Sequence, residues 1–122
     1  MLGSAAVVDG FRVEVSRRGA CLIASVVGEI DLATAPELRA AVESSIASDS
    51  GGTSRVAVDL TEVQFLDSSG LNALVGLQRL LAANGIELRL VSPVDAVVRQ
   101  VFEITQLTET LRVTASLDEA LT

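Results

Sequence analysis

Residues 55–70 read RVAVDLTEVQFLDSSG. Val56, Val58 and Leu60 alternate with Ala57 and Asp59, the period-two pattern of a strand over Arg55–Leu60. A short apolar stretch, Val63–Leu66, leads into Asp67-Ser68-Ser69-Gly70. Leu71, Leu74, Val75 and Leu81 then recur at helical spacing, and Asn84-Gly85 supplies the stop. Ile86, Leu88 and Leu90 alternate again as the next strand. Strand, helix, strand in this order implies a parallel βαβ unit.

On the N-terminal side, Phe11, Val13 and Val15 alternate with Arg12 and Glu14, and Cys21–Val27 is an apolar run. These two strands form a hairpin, with Arg17-Arg18-Gly19 as a solvated tip. Residues 1–10 are small and weakly patterned, and are expected to be a loose, flexible arm ahead of one domain over 11–122. Thr34-Ala35-Pro36-Glu37 reads as a capping box before a helix carrying Leu38, Ala41, Val42 and Ile46. On the C-terminal side, Ser92-Pro93 reads as the cap of a helix whose inner stripe is Val94, Val97, Val98, Val101 and Phe102. A short strand near Leu111–Val113 precedes a second capping box, Ser116–Glu119. The expected order is β-β-α-β-α-β-α-β-α: a mixed sheet of four to five strands, with helices mainly on one face.

Composition narrows the chemistry. The 122 residues contain no His, and all nine basic residues are Arg. Histidine- or lysine-activated nucleophiles, Schiff bases and the lysine of a P-loop are therefore excluded. Cys21 is the single cysteine, so an internal disulfide is impossible and a zinc site is disfavoured; it is expected to be a small buried hydrophobe. Gly76, in mid-helix, is expected to allow close packing. A net charge of −7 argues against nucleic acid as a partner. No apolar run reaches the roughly 20 residues of a membrane span. No cofactor is implied, and a cytoplasmic protein is the expectation.

Asp67-Ser68-Ser69-Gly70 holds more polar groups than one helix cap requires. Gly70 is a poor first-turn residue, costing roughly 0.5–1 kcal/mol relative to Ala, so its merit is close approach of another backbone. A phosphoserine at a helix start would be accommodated by free amides and the positive dipole end. The stretch therefore reads as a regulated docking site and not as a catalytic centre.

With Gly28-Glu29-Ile30-Asp31 after the second strand, Val56–Leu60, Phe65 to Leu71, Ser92-Pro93-Val94 and Glu119-Ala120-Leu121, the chain resembles a STAS domain of the bacterial anti-sigma factor antagonist type. The resemblance runs from about Phe11 to Leu121. It implies a partner-switching regulator of transcription, such as those of stress responses. In that scheme the unphosphorylated chain binds an anti-sigma factor that is also a serine kinase, and a sigma factor is released. Phosphorylation at Ser68, directly after the motif's Asp, ends the binding, and a separate phosphatase resets it. Ser69 is the competing acceptor, although its place nearer the helix interior suits a capping role. The resemblance places Glu29, Asp31, Asp67, Ser68, Ser69, Gly70 and Asn72 at the partner surface, on a monomer or weak dimer. The alternative is a STAS scaffold subunit of a signalling or transporter-associated assembly, without a phospho-switch. A nucleotide-binding role finds no P-loop or dinucleotide fingerprint to support it.

Overall fold

The computed structural model describes residues 4–8, 10–49 and 51–122, the first of these segments as backbone. Six strands lie in chain order across one sheet: β1 (Ser4–Val8), β2 (Phe11–Arg18), β3 (Cys21–Ile30), β4 (Arg55–Leu66), β5 (Glu87–Val91) and β6 (Val113–Thr114). The first three pair antiparallel, while β3 to β6 are parallel. The helices are α1 (Ala35–Ala47), α2 (Ser68–Ala83), α3 (Val97–Ile104) and α4 (Leu117–Leu121).

The expected β-β-α-β-α-β-α-β-α order is present in full, behind one further strand. Ser4–Val8, expected within a loose arm, pairs with β2 from Ser4↔Glu14 to Val8↔Phe11. Met1, Leu2, Gly3 and Asp9 of that stretch lie outside the described residues. Five small residues offer no periodicity to read, yet the outer backbone groups of β2 give any short segment a ladder to join.

The core explains the helix placement. Leu22, Ala24 and Val26 of β3, Val56, Val58 and Leu60 of β4, and Leu88 and Leu90 of β5 face α1, α2 and α3. The helices answer with Leu38 and Val42, with Leu74, Leu77 and Leu81, and with Val98 and Phe102. Each such fully buried aliphatic side chain contributes about 1.5–3 kcal/mol by leaving water. Cys21, Ile23, Ala57 and Val91 point to the opposite face, where α4 covers them with Ala120, Leu117 and Leu121. Helices thus sit mainly on one face, and the apolar run of β3 reflects the small cover on the other. Arg55 and Arg89 donate to the Ala120 carbonyl, fastening α4 by its C-terminal end.

Four local expectations are corrected. Thr34 does not form the capping box with Glu37: its hydroxyl donates to the Glu29 carbonyl at 2.7 Å and accepts from the Asp31 amide at 2.9 Å. The turn after β3 has taken the oxygen that would have capped α1. Ser92-Pro93 does not open α3, which starts at Val97 behind Ala96. The Ser92 amide is instead donated to the Thr114 carbonyl, which prolongs the β5–β6 ladder and keeps Ser92 out of a helix. Val94 and Val97, expected on the inner stripe, are 66% and 70% exposed: Val94 precedes the helix, and Val97 is its first residue, off the face that buries Val98 and Phe102. Arg17 is no free hairpin tip, since its guanidinium meets Asp49 at 3.1 Å and donates to Thr53.

Candidate functional site

Everything expected at the site converges on the carboxyl edge of the parallel strands. The β3–β4 register sets Glu29 beside Phe65 and Ile30 beside Leu66. One residue further on, the Asp67 amide donates to the Ile30 carbonyl at 3.3 Å. Glu29-Ile30-Asp31 and Asp67-Ser68-Ser69 are therefore neighbours in space, although 36 residues or more separate them in sequence. In open α/β sheets this edge is the usual place for recognition.

Asp67 is the N-cap of α2, extended in backbone (φ −96°, ψ −174°), and its Oδ1 accepts from the Gly70 amide at 2.9 Å. The cap is thus Asp67, not Ser69, and α2 begins at Ser68. Ser68 is exposed and Ser69 half-buried. Among the described residues the amides of Ser68 and Ser69 have no protein partner, leaving two donors at the positive end of a 16-residue helix.

Gly70 is buried for a reason internal to the fold. A Cβ there would lie 2.6 Å from the Ile30 carbonyl oxygen and 2.5 Å from Leu66 Cδ1. The other backbone expected to come close is this chain's own β3, which clamps the start of α2 against the end of that strand. Asn72 is exposed one turn on. Asp31 uses Oδ1 to accept from the amides of Ala33 and Thr34, so it shapes the turn after β3 as well as facing outward. Gly28 has φ +112°, and a side chain there would collide with the Gly10 carbonyl oxygen at 2.8 Å. That close approach forms the floor of a polar groove of about 350 Å3, lined by Glu29, Asp31, Thr34 and Gln64 among others. A depression of about 390 Å3 between the C-terminal ends of α1 and α2 lies at the other end of the sheet and shares no residue with this site.

Two residues at this edge escape sequence reasoning. Leu32 is 78% exposed and Phe65 is 48% exposed, both large and apolar. The β3–β4 pairing shifts register between Gly28 and Glu29, so strict alternation no longer says which side chains at the end of β4 face inward.

The only titratable groups near Ser68 in sequence are carboxylates, and Asp67 is engaged in capping.

Fold and site define a single-sheet α/β module that displays a serine at a helix start on its parallel edge. The STAS domain family model matches residues 12–120, and the chain belongs to that family. An anti-sigma-B factor antagonist of Listeria monocytogenes is 39% identical over 88 residues, covering 72% of this chain and 74% of that protein. The crystal structure of an anti-sigma factor antagonist from Mycobacterium paratuberculosis superposes with a TM-score of 0.78 at 30% identity, covering 91% of each chain. The anti-sigma factor antagonist SpoIIAA in its unphosphorylated form superposes at 0.69 with 26% identity, covering 91% and 92%. Among the described residues, no helix is long and apolar enough to cross a membrane.

Proposed function

We propose that this chain is an anti-sigma factor antagonist switched by phosphorylation of Ser68. The observation that carries the reading is the exposed Ser68 hydroxyl on the first turn of α2, behind the Asp67 cap and beside Glu29 and Asp31. The names borne by the relatives support the same class of partner. Unphosphorylated, the edge docks an anti-sigma factor with serine kinase activity and frees its sigma factor. The kinase transfers a phosphoryl group from its own ATP to the Ser68 oxygen, adding about −1.5 to −2 charges where the interface must exclude water. The complex then separates, and a phosphatase restores the serine.

The test uses the purified chain, the host's purified anti-sigma serine kinases and ATP, with the modified residue read by mass spectrometry. Phosphate on Ser68 is expected; phosphate on Ser69 alone would refute the assignment. In calorimetric titrations Ser68→Ala should keep the affinity, while Ser68→Asp should lower it at least about tenfold, the effect of 1.4 kcal/mol. Equal affinity of the two variants would show that charge at this position is not the switch.

A further inference from the structure

The end of the sheet remote from Ser68 holds a second recess. Both α1 and α2 finish there, with Ser48 and Asn84 as their C-caps, and between them lies the depression of about 390 Å3. Its volume falls within the roughly 300–1,000 Å3 of small-molecule sites. Ile46 and Ala47 of α1, Leu80 and Leu81 of α2, and Ile86 make it mainly apolar. Leu81 and Ile86 belong to the core, while Ala47 is exposed, so the recess opens from the core to solvent. The polar side chains around it offer acceptors. Glu43 is a carboxylate whose ion pair with Arg39, at 3.3 Å, is nearly half exposed on both sides and contributes little in water. Asn84 donates its amide nitrogen to the Leu80 carbonyl at 2.9 Å, and among the described residues nothing donates to its Oδ1. The Thr53 hydroxyl donates to Asp49 and accepts from Arg17, so it has no proton to offer. Arg17 is in turn held by Asp49 at 3.1 Å. Neither α1 nor α2 has a basic residue in its last turn, so the negative ends of two helix dipoles meet at this recess without compensation from their own side chains.

We propose that this recess binds a small amphiphilic amine: an alkylammonium whose chain lies on Ile46, Leu80, Leu81 and Ile86, with its head at Glu43 and the two helix ends. The chain gains by leaving water. The ammonium carries three donors and a positive charge to groups that accept and to helix ends that are negative. A fatty acid of the same length would instead set a carboxylate against Glu43 and both helix ends, and an alcohol brings one proton and no charge. A floor of buried Leu81 and Ile86 below an exposed rim suits a slender alkyl chain better than a flat protein face. The site stands apart from Ser68, because the two lie at opposite ends of the 16-residue α2, about 24 Å apart along its axis. Binding there requires neither the kinase nor phosphorylation.

The experiment titrates octylamine, octanoate and octanol separately into the purified full chain, below their aggregation concentrations, and follows the backbone amides by heteronuclear NMR. Octylamine is expected to shift the amides of Ile46, Ala47, Leu80, Asn84 and Ile86 while leaving those of Ser68 and Ser69 in place. Its Kd should lie below about 1 mM, at least about fivefold tighter than octanoate or octanol. Glu43→Gln should weaken octylamine about threefold, whereas Glu37→Gln, an exposed carboxylate in the first turn of α1 outside the recess, should leave it unchanged. Ala47→Phe fills the recess from an exposed position and should abolish binding, with thermal melts confirming that the variant folds. Failure of all three ligands to shift the lining amides overturns the site, and equal affinity for the three refutes the amine head. Octylamine shifts that survive Ala47→Phe would mark nonspecific adsorption to a chain of net charge −7 and would also overturn the proposal.

Discussion

Replacing Gly70 with Ala sets two opposed effects against each other. In the first turn of α2 the substitution should gain roughly 0.5–1 kcal/mol, because Ala forfeits less conformational freedom than Gly in a helix. The added methyl, however, would sit 2.6 Å from the Ile30 carbonyl oxygen, 2.8 Å from Ile30 Cγ2 and 2.5 Å from Leu66 Cδ1. Leu66 can turn aside, but the carbonyl belongs to the β3 ladder and also accepts from the Asp67 amide, so α2 must shift. Forcing a methyl into such a packed contact costs about 1–3 kcal/mol. The clash should win, with a net loss of about 1–2 kcal/mol and a fall in Tm of several degrees. Gly76→Ala is the control, since a Cβ there would meet only the Arg39 guanidinium at 3.9 Å. Close packing does not require that glycine, so its replacement should stabilise by roughly 0.5–1 kcal/mol. Urea denaturation of both variants beside wild type reads the difference through the midpoint at unchanged slope. A Gly70→Ala protein as stable as wild type would refute the claim that β3 clamps the start of α2.

Asp67→Ala should cost about 1 kcal/mol through loss of the bond to the Gly70 amide, whereas Asp67→Asn should keep most of it; denaturant midpoints separate the two, and equal losses would reject the capping role. Burial opposes ionisation of Glu87, but hydrogen bonding and charge from Arg55 and Arg89 outweigh it and hold the carboxyl below its ordinary 4.5. With the folded value depressed, the native state binds fewer protons than the unfolded chain as pH falls. The contribution of Glu87 is thus complete above about pH 4.5 and lost as pH falls through the lower folded value. Glu87→Gln should therefore lower stability at pH 7 and lessen its decline on acidification, read by melts across pH 3–7; parallel curves would remove Glu87 from the acid sensitivity.

The sequence by itself determined the class of fold and the address of the site. Alternation in Val56–Leu60 and helical spacing from Leu71 to Leu81 are local properties, so a chain pattern can carry them. The start of α2 was legible for the same reason, because capping is decided by a few adjacent residues. What failed were features settled by atoms outside the pattern being read. The Thr34 hydroxyl caps no helix amide because the Glu29 carbonyl and the Asp31 amide hold it, and α3 starts late because Thr114, 22 residues on, holds the Ser92 amide. Val94 and Val97 therefore lie at the surface, where periodicity had put them in the core. Tertiary structure alone also set Glu29 beside Phe65 and Gly70 against Ile30, since the register of two parallel strands depends on which faces find cover.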